Sequence, residues 1–417
     1  MPYTRATRTR RAPLSSVAAA FVAVLALAAC GSSTPASAPK PLPKHHRAKP
    51  KPPVLDFYSS LPLTGQWSAV GNAILRGIQL KLGQVGDRVP GTDFIVKLVS
   101  LDDVPRPHTG QDPLSRAAEN ASEAATDPKA IYYIGDLSSS QATVSVQILK
   151  QWGVPQISPL SPNVGTEPLL RLMPGDGVQA AAAASELHSL GCVHVSGISD
   201  RDSAGNALLQ TIATDAKADG LSMTRTQATV SSKVPPAAVI ASLHAQNSGS
   251  YCFVFAGRPS AALVALSKTA HLDYPKSYIL GTSGLCNSAW TAPIQDSDNA
   301  YCTSAVLPID SYKQGRTFTR WYVRKYRKQP SAELLTYALY GYEAANLGVE
   351  TIQELGDHLG SSRSQVRRWL FATSYRPSPL GLYGFDANGE TTLRTYGLYK
   401  VAANGAPAFL KKLTPPY

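Results

Sequence analysis

No acidic residue precedes Asp56. Nine cationic residues do: Arg5, Arg8, Arg10, Arg11, Lys40, Lys44, Arg47, Lys49 and Lys51. They supply nine of the net +12 charges of the 417-residue chain and leave three for the remainder. The basic excess is thus a property of the tail, and nucleic-acid binding is not the natural inference. Long apolar runs are missing too. The most apolar stretch near the start, residues 17–29, is too short for a comfortable bilayer span. Cysteine is scarce, at five residues, and the spacings do not fit a zinc site. No phosphate loop or metal cluster occurs, so no cofactor and no metal are expected. A hydrolase nucleophile elbow needs G-x-S-x-G, and Gly281-Thr282-Ser283-Gly284-Leu285 misplaces the second glycine. His194 and Ser196 share one face of a strand, but no acid falls beside them. An enzyme is therefore the least supported class.

The first 30 residues have the form of an export signal, with a basic start, an apolar run and small residues leading to Cys30. Leu27-Ala28-Ala29-Cys30-Gly31 resembles a bacterial lipobox, in which cleavage leaves the cysteine as the lipidated first residue. Arg10-Arg11 is compatible with twin-arginine export. Residues 31–53 are rich in Pro, Ser, Ala and Lys and lack apolar periodicity, so they read as an extended linker with no core. His45-His46 in this segment reads as solvated rather than metal-binding.

From residue 54 the chain alternates strand and helix signals. Strands are expected at 54–60, 94–101, 131–134 and 154–157, and helices at 70–82 (apolar spacing Val70, Ile74, Ile78, Leu82) and 113–126. Between the last two strands, Val144, Ile148 and Trp152 recur at helical spacing. Residues 169–174 read as a crossing segment, after which the pattern restarts. Helices are expected at 178–190, 204–218, 235–245 and 260–271, and strands at 193–198, 224–230, 251–255, 277–280 and 301–307. Helical spacing returns at Phe318, Tyr322 and Tyr326, then at 335–352 and 366–371, before a turn at 384–389 and a strand at 393–401. This is an α/β chain with two units of similar plan, each with a parallel sheet covered by helices.

The four later cysteines all fall in the second unit of an exported chain, so disulfides are expected. Three pairings are possible. Cys192 and Cys252 each begin a strand, and in a doubly wound order these would be adjacent. Cys286 and Cys302 flank one loop. The favoured pairing is Cys192–Cys252 with Cys286–Cys302.

The stretch 131–161 carries the most chemistry. The apolar strand Ile131-Tyr132-Tyr133-Ile134 runs into Gly135-Asp136-Leu137 and three serines, and a second strand ends in Ser158-Pro159-Leu160-Ser161. In open α/β sheets ligands sit beyond the carboxyl ends of the strands. A serine turn opening a helix presents free N–H groups suited to a carboxylate. The plainer role of Ser139 and Ser140 is to cap their own helix.

Several blocks together make the resemblance specific. Leu61-Pro62-Leu63-Thr64-Gly65 followed by Arg76-Gly77, Ile134-Gly135 with the serines, Val154-Pro155 and Ile157-Ser158-Pro159 are similar to successive blocks of type I periplasmic binding proteins. The similar branch serves branched-chain amino acid ABC transporters. Tyr337-Ala338-Leu339-Tyr340-Gly341-Tyr342-Glu343-Ala344 and Phe385-Asp386-Ala387-Asn388-Gly389 continue the match in order.

The resemblance implies a two-lobed fold, each lobe a doubly wound parallel sheet, with the ligand cleft between lobes and three crossings. Lobe one would take residues 54–170 and 310–390, and lobe two residues 171–309 and 391–417. Ser139 matches the serine that grips a ligand carboxylate, with Ser140, Ser158 and Ser161 near it. Ser161 is the likelier side chain of the second turn, where the family often has a threonine near Pro162. Trp67 and Tyr337 match aromatics that cover the ligand; core packing is their plainer role. In lobe two the family's tyrosine position is Ala204, and the acid that holds an ammonium is replaced by Ser283. Asp200 and Asp202 are the acids that could take over, or else are helix caps, and Gly257 closes a neighbouring strand. The chain is thus expected to be an extracytoplasmic solute-binding lipoprotein, anchored to the membrane through Cys30. It would be monomeric and deliver a small polar solute to an ABC permease, and the departures in lobe two point away from a free α-amino acid. A sensor or orphan binding protein of the same fold is the alternative.

Overall fold

The computed structural model describes residues 51–415 except 87, 107–110, 162–168, 232, 246–250 and 296. The export-signal stretch, Cys30, the linker up to Pro50 and Pro162 lie outside the described residues. The described residues belong to one compact unit.

The first run of elements is β1 (Val54–Leu61), α1 (Ser68–Val85), β2 (Ile95–Asp102), α2 (Pro113–Thr126), β3 (Ala130–Ile134), α3 (Ser139–Gln151), β4 (Gln156–Ser158) and β5 (Leu170–Arg171). The five strands make one parallel sheet in the order β2-β1-β3-β4-β5. β3 lies inside it, and every one of its residues is buried, which is why its sequence is an unbroken apolar run. Residues 169–174 were expected only to cross. They first add β5 to the sheet, with Ile157 opposite Leu170, and only then leave it. α3 forms as expected, but its buried residues are Gln141, Ala142, Ser145, Val146 and Leu149, and Trp152 is 53% exposed. The four-residue spacing of Val144, Ile148 and Trp152 marked a helix but not its inward face.

The second run is α4 (Asp176–Ser189), β6 (His194–Ser199), α5 (Ser203–Ala218), β7 (Ser222–Gln227), α6 (Pro236–Ala245), β8 (Tyr251–Ala256), α7 (Ala261–Asp273), β9 (Tyr278–Gly281), the single turn α8 (Ser288–Thr291) and β10 (Ala300–Ser304). The third is α9 (Gly315–Tyr326), α10 (Ala332–Leu359), α11 (Arg363–Phe371), the hairpin β11 (Arg376–Ser378) and β12 (Gly381–Tyr383), then β13 (Tyr396–Val401) and β14 (Pro407–Leu413). The second sheet has the order β14-β13-β10-β9-β8-β6-β7. It is parallel from β7 to β10, but β13 and β14 join antiparallel. The purely parallel expectation fails at this edge. β14 has no counterpart in the expected elements: most of its residues are exposed, as befits a lysine-bearing edge strand.

The third run splits between the two sheets. α10 returns to the first one: Leu339, Ala344 and Leu347 share a core with Phe57, Tyr132 and Ile157, and the Tyr132 hydroxyl donates to the Ala344 carbonyl at 3.1 Å. Glycine allows the contact. A Cβ on Gly77 of α1 would lie 1.8 Å from the Ala338 oxygen, and one on Gly341 would lie 2.1 Å from that of Ile74. The hairpin is tied to α10 by Arg376, which pairs with buried Glu343 and with Glu350. Tyr383 also donates to Glu343, at 2.7 Å. The chain therefore passes between the sheets three times, from β5 to α4, from β10 to α9 and from β12 to β13.

The sulfur atoms of Cys192 and Cys252 lie 1.99 Å apart, and those of Cys286 and Cys302 lie 2.06 Å apart. Both are the favoured partners. The neighbouring positions of β6 and β8, where Val195 faces Cys252, bring the first pair together.

Candidate functional site

The candidate residues gather at the carboxyl ends of the two sheets. In the first sheet, Ser138 is the N-cap of α3. Its hydroxyl oxygen accepts the Gln141 amide at 3.3 Å and donates to the Gln141 side-chain oxygen at 2.6 Å. Ser-x-x-Gln is a capping-box spacing, the sequence signal that marks Ser138 as the cap. The capping role expected of Ser139 and Ser140 thus belongs to Ser138. Ser140 is exposed. Ser139 opens the helix and accepts the Ser161 hydroxyl at 3.2 Å, so the two serine turns meet. Ser158 is buried and works inside the second turn, donating to the Asp136 carbonyl at 2.6 Å and accepting the Ser161 amide at 3.0 Å.

Three acids lie beneath these turns. The Asp102 carboxylate accepts the amides of Leu63 at 2.9 Å and Val104 at 3.1 Å, and the Thr64 hydroxyl at 2.7 Å. It thereby fixes the turn after β1. Asp136 is fully buried and accepts the Ser145 hydroxyl at 2.6 Å. Burial pushes its carboxyl up to about 6, and the hydroxyls of Ser145, Ser60 and Tyr133 hold it back. Asp103 is 3% exposed, and among the described residues its Oδ2 has no hydrogen-bond partner. Burial, then the charges of Asp136 and Asp102, push its carboxyl up to about 8. At neutral pH the two deeper acids thus favour their protonated forms more than ordinary aspartates do.

Trp67 is 60% exposed, just ahead of α1. Tyr337 is half-buried at the edge of the first core, and its hydroxyl donates to Glu333 at 3.3 Å.

In the second sheet most of the corresponding groups are held by their own framework, but the buried Oδ1 of Asp200 has no hydrogen-bond partner among the described residues. Asp202 is the N-cap of α5 and accepts the Ala204 amide at 3.4 Å; Ala204 is exposed in the first turn. Asp200 is 7% exposed, and its carboxylate accepts the Arg258 amide at 2.7 Å. It packs against two glycines: a Cβ on Gly205 or on Gly257 would lie 2.1 Å from it. Gly257 has φ +120°, a region that only glycine enters readily. Ser283 donates to the Gln179 side-chain oxygen at 3.0 Å, and Gln179 donates onward to Thr303 at 2.9 Å. Asp200, Gly257 and Arg258 are therefore together, as are Ser283, Gln179 and Thr303. Gln179 and Thr303 belong to elements far apart in the chain, and no local pattern marks them. Arg258, exposed beyond β8, is a cation that a search for an ammonium partner overlooks.

Among the described residues no cluster of three or more His, Cys, Asp or Glu could hold a metal ion, and no helix is long and apolar enough to cross a membrane.

A family model described as periplasmic binding protein matches residues 60–406. Comparison with curated proteins gives no match. Among solved structures, a leucine binding protein from Thermotoga maritima is 22% identical, with a TM-score of 0.66 over 87% of this chain and 99% of that one. A substrate-binding protein from Desulfitobacterium hafniense, in complex with Leu, is 17% identical, with a TM-score of 0.69 over 86% and 100%. A solute binding protein from R. palustris, in complex with benzoate, is 18% identical, with a TM-score of 0.63 over 87% and 97%. At these identities the structures establish a shared fold, while the family model spans most of the chain. The chain belongs to the type I periplasmic binding proteins, in the family that includes the substrate-binding proteins of branched-chain amino acid ABC transporters.

Proposed function

We propose that the protein is a lipid-anchored, extracytoplasmic solute receptor for an ABC importer, and that its solute is a small carboxylate without an α-ammonium group. The observation that carries this reading is the unequal equipment of the two sheets. Ser139 meets Ser161 at the N-terminus of α3, where helix N–H groups favour an anion. On the other side Asp202 caps α5, and Ser283 stands where an ammonium-binding acid would be. An ammonium closed into a cleft without a partner is very costly. Arg258 favours an anionic solute further. The relatives seen with Leu and with benzoate support a fold that accommodates carboxylates of either kind.

In this reading residues 54–170 and 310–390 form one lobe and residues 171–309 and 391–417 the other, closing on the solute by hinge motion. Trp67 and Tyr337 cover its apolar part. The protein does no covalent chemistry and works as a monomer. Residues 1–30 direct export, Cys30 receives the lipid, and Cys192–Cys252 and Cys286–Cys302 form disulfides outside the cytoplasm.

A thermal-shift series on the mature chain tests it, with benzoate, other small carboxylates and free amino acids as probes. A solute at a hundred times its dissociation constant should stabilise by about 2.7 kcal/mol. A shift with leucine that disappears in Asp200→Asn would show that an ammonium is held after all. No shift with any solute would favour an orphan or sensor role, and turnover of a bound solute would overturn the receptor reading.

A further inference from the structure

We propose that the end of the first sheet opposite the serine turns is a lipid-facing surface that seats on an anionic bilayer. The presence of a bilayer nearby rests on the lipid-anchor reading; the surface itself rests on independent observations. β1, β3 and β4 are parallel, so their amino ends share one end of the sheet. Arg363, the first residue of α11, ties that helix to this end. Its guanidinium donates to the carbonyls of Ala130 at 2.8 Å, Ala125 at 3.3 Å and Trp152 at 3.1 Å, and also to that of Asp127. The chain enters the fold here as well, where the Ile95 amide donates to the Pro53 carbonyl at 3.0 Å. The tether therefore leaves from the same end.

The composition of this end suits a lipid headgroup region. α11 reads RSQVRRWLF, with three arginines and no acid. Arg363 is used up on carbonyls, but Arg367 and Arg368 have no acidic partner among the described residues. Arg367 lies over the Phe371 ring, 5.5 Å from its centre, and both line an open cavity of about 390 Å³ together with Gly153 and Arg368. Trp369 is 45% exposed and Trp152 53% exposed. Tryptophan beside unpaired arginine is the pairing favoured at a membrane–water boundary. Acids at this end include Asp56, which is largely buried, Asp127, which accepts the Tyr58 hydroxyl at 3.0 Å, exposed Glu123, with exposed Lys129 nearby in the chain, and, just before β2, exposed Asp93, which pairs with Arg88 and whose amide donates to exposed Asp357 at 2.6 Å.

The tether sets the occupant. Twenty residues separate Cys30 from Lys51, and a proline-rich chain of that length reaches roughly 60 Å at most. A lipid on Cys30 would keep this end within that distance of the bilayer, so even weak contacts would be populated. Seated this way, the sheet presents its opposite end, with Ser139 and Ser161, to the external medium.

The test uses the mature chain with Cys30→Ser, which carries no lipid, and cosedimentation with vesicles. One set is pure phosphatidylcholine, and the other contains about one third phosphatidylglycerol. Binding to the anionic set alone is expected, and added salt should weaken it. The Arg367→Glu/Arg368→Glu variant should bind the anionic vesicles about tenfold more weakly or worse, with its melting midpoint and solute binding retained. A fluorescent dye on Ser364→Cys should shift to the blue on anionic vesicles, which keeps the test decisive if the double variant folds poorly. No binding by the parent, an unchanged partition in the double variant, an unshifted dye, or equal binding to immobilised polyglutamate would each overturn the proposal. Palmitate labelling of Cys30 in cells is a separate readout. If it fails while vesicle binding holds, the anchor falls and the surface stands.

Discussion

The turns that end β3 and β4 and those that end β6, β8 and β9 occupy equivalent places in two similar sheets, yet they are wired differently. In the first sheet a dedicated residue, Ser138, caps the helix, so Ser139 is left to meet Ser161. Below them lie Asp103 and Asp136, carboxyls that burial keeps partly protonated. In the second sheet Asp202 is committed to its helix and Ser283 to Gln179, while Asp200 accepts the Arg258 amide through one oxygen, packs against two glycines, and among the described residues has no hydrogen-bond partner for its buried Oδ1. A polar side chain at the carboxyl end of a strand is available to a ligand only to the extent that its own framework leaves it donors or acceptors. In the second half Asp202 and Ser283 are constrained in this way, and Asp200 is constrained at one of its two oxygens.

The strongest way to break this comparison is to disturb the packed half. Gly257→Ala would place a Cβ against the Asp200 carboxylate at a backbone φ of +120°. Strain and overpacking together should destabilise the protein by roughly 3–5 kcal/mol, read by chemical denaturation. A loss under 1 kcal/mol would mean that the Asp200 cluster is adaptable and could open to a solute.

A smaller effect should come from the acids of the first half. Burial raises the Asp103 carboxyl from 3.8 to about 8 and that of Asp136 from 3.8 to about 6. The folded chain therefore retains protons that the unfolded chain releases. The stability they contribute is complete below about pH 4 and is lost as pH rises toward 8. Asp103→Asn should flatten this decline, by an amount on the order of 2 kcal/mol between pH 5 and 8. Denaturation curves across that range check it, and parallel curves for parent and variant would remove the buried-acid account.

The smallest effect sharpens the functional contrast. Ser139→Ala should weaken binding of the cognate carboxylate about tenfold, the cost of one hydrogen bond to a charged group. Ser283→Ala should change it less than about twofold, because its hydroxyl is committed to Gln179. Isothermal titration gives both values; equal losses would show that the second sheet also grips the solute.

Much of this was legible in the sequence where the signal is local. The bounds of α2 agree to the residue, and β3 is the apolar run it was read to be. The Ser139–Ser161 turns lie where strand ends were expected. The four cysteines meet in the favoured pairs. What was missed depended on geometry that adjacent residues do not encode. The inward face of α3 takes Gln141 and Ser145 along with Val146 and Leu149, while Trp152 stays exposed, so apolar spacing alone did not mark it. β14 was invisible because an exposed edge strand buries too little to show alternation. The commitment of Ser283 depends on Gln179, which is 104 positions away.

By itself the sequence determined the class of fold, the alternation of strand and helix, and the placing of a polar serine turn after β3. These follow from apolar periodicity and from backbone groups that must be satisfied within a few residues. Only the tertiary structure decided which serine caps its helix and which meets Ser161, which aspartates become buried with raised carboxyls, and how far Asp200, Asp202 and Ser283 are committed to their neighbours. Those properties are set by burial and by partners brought from distant parts of the chain, and burial is a property of the packed whole.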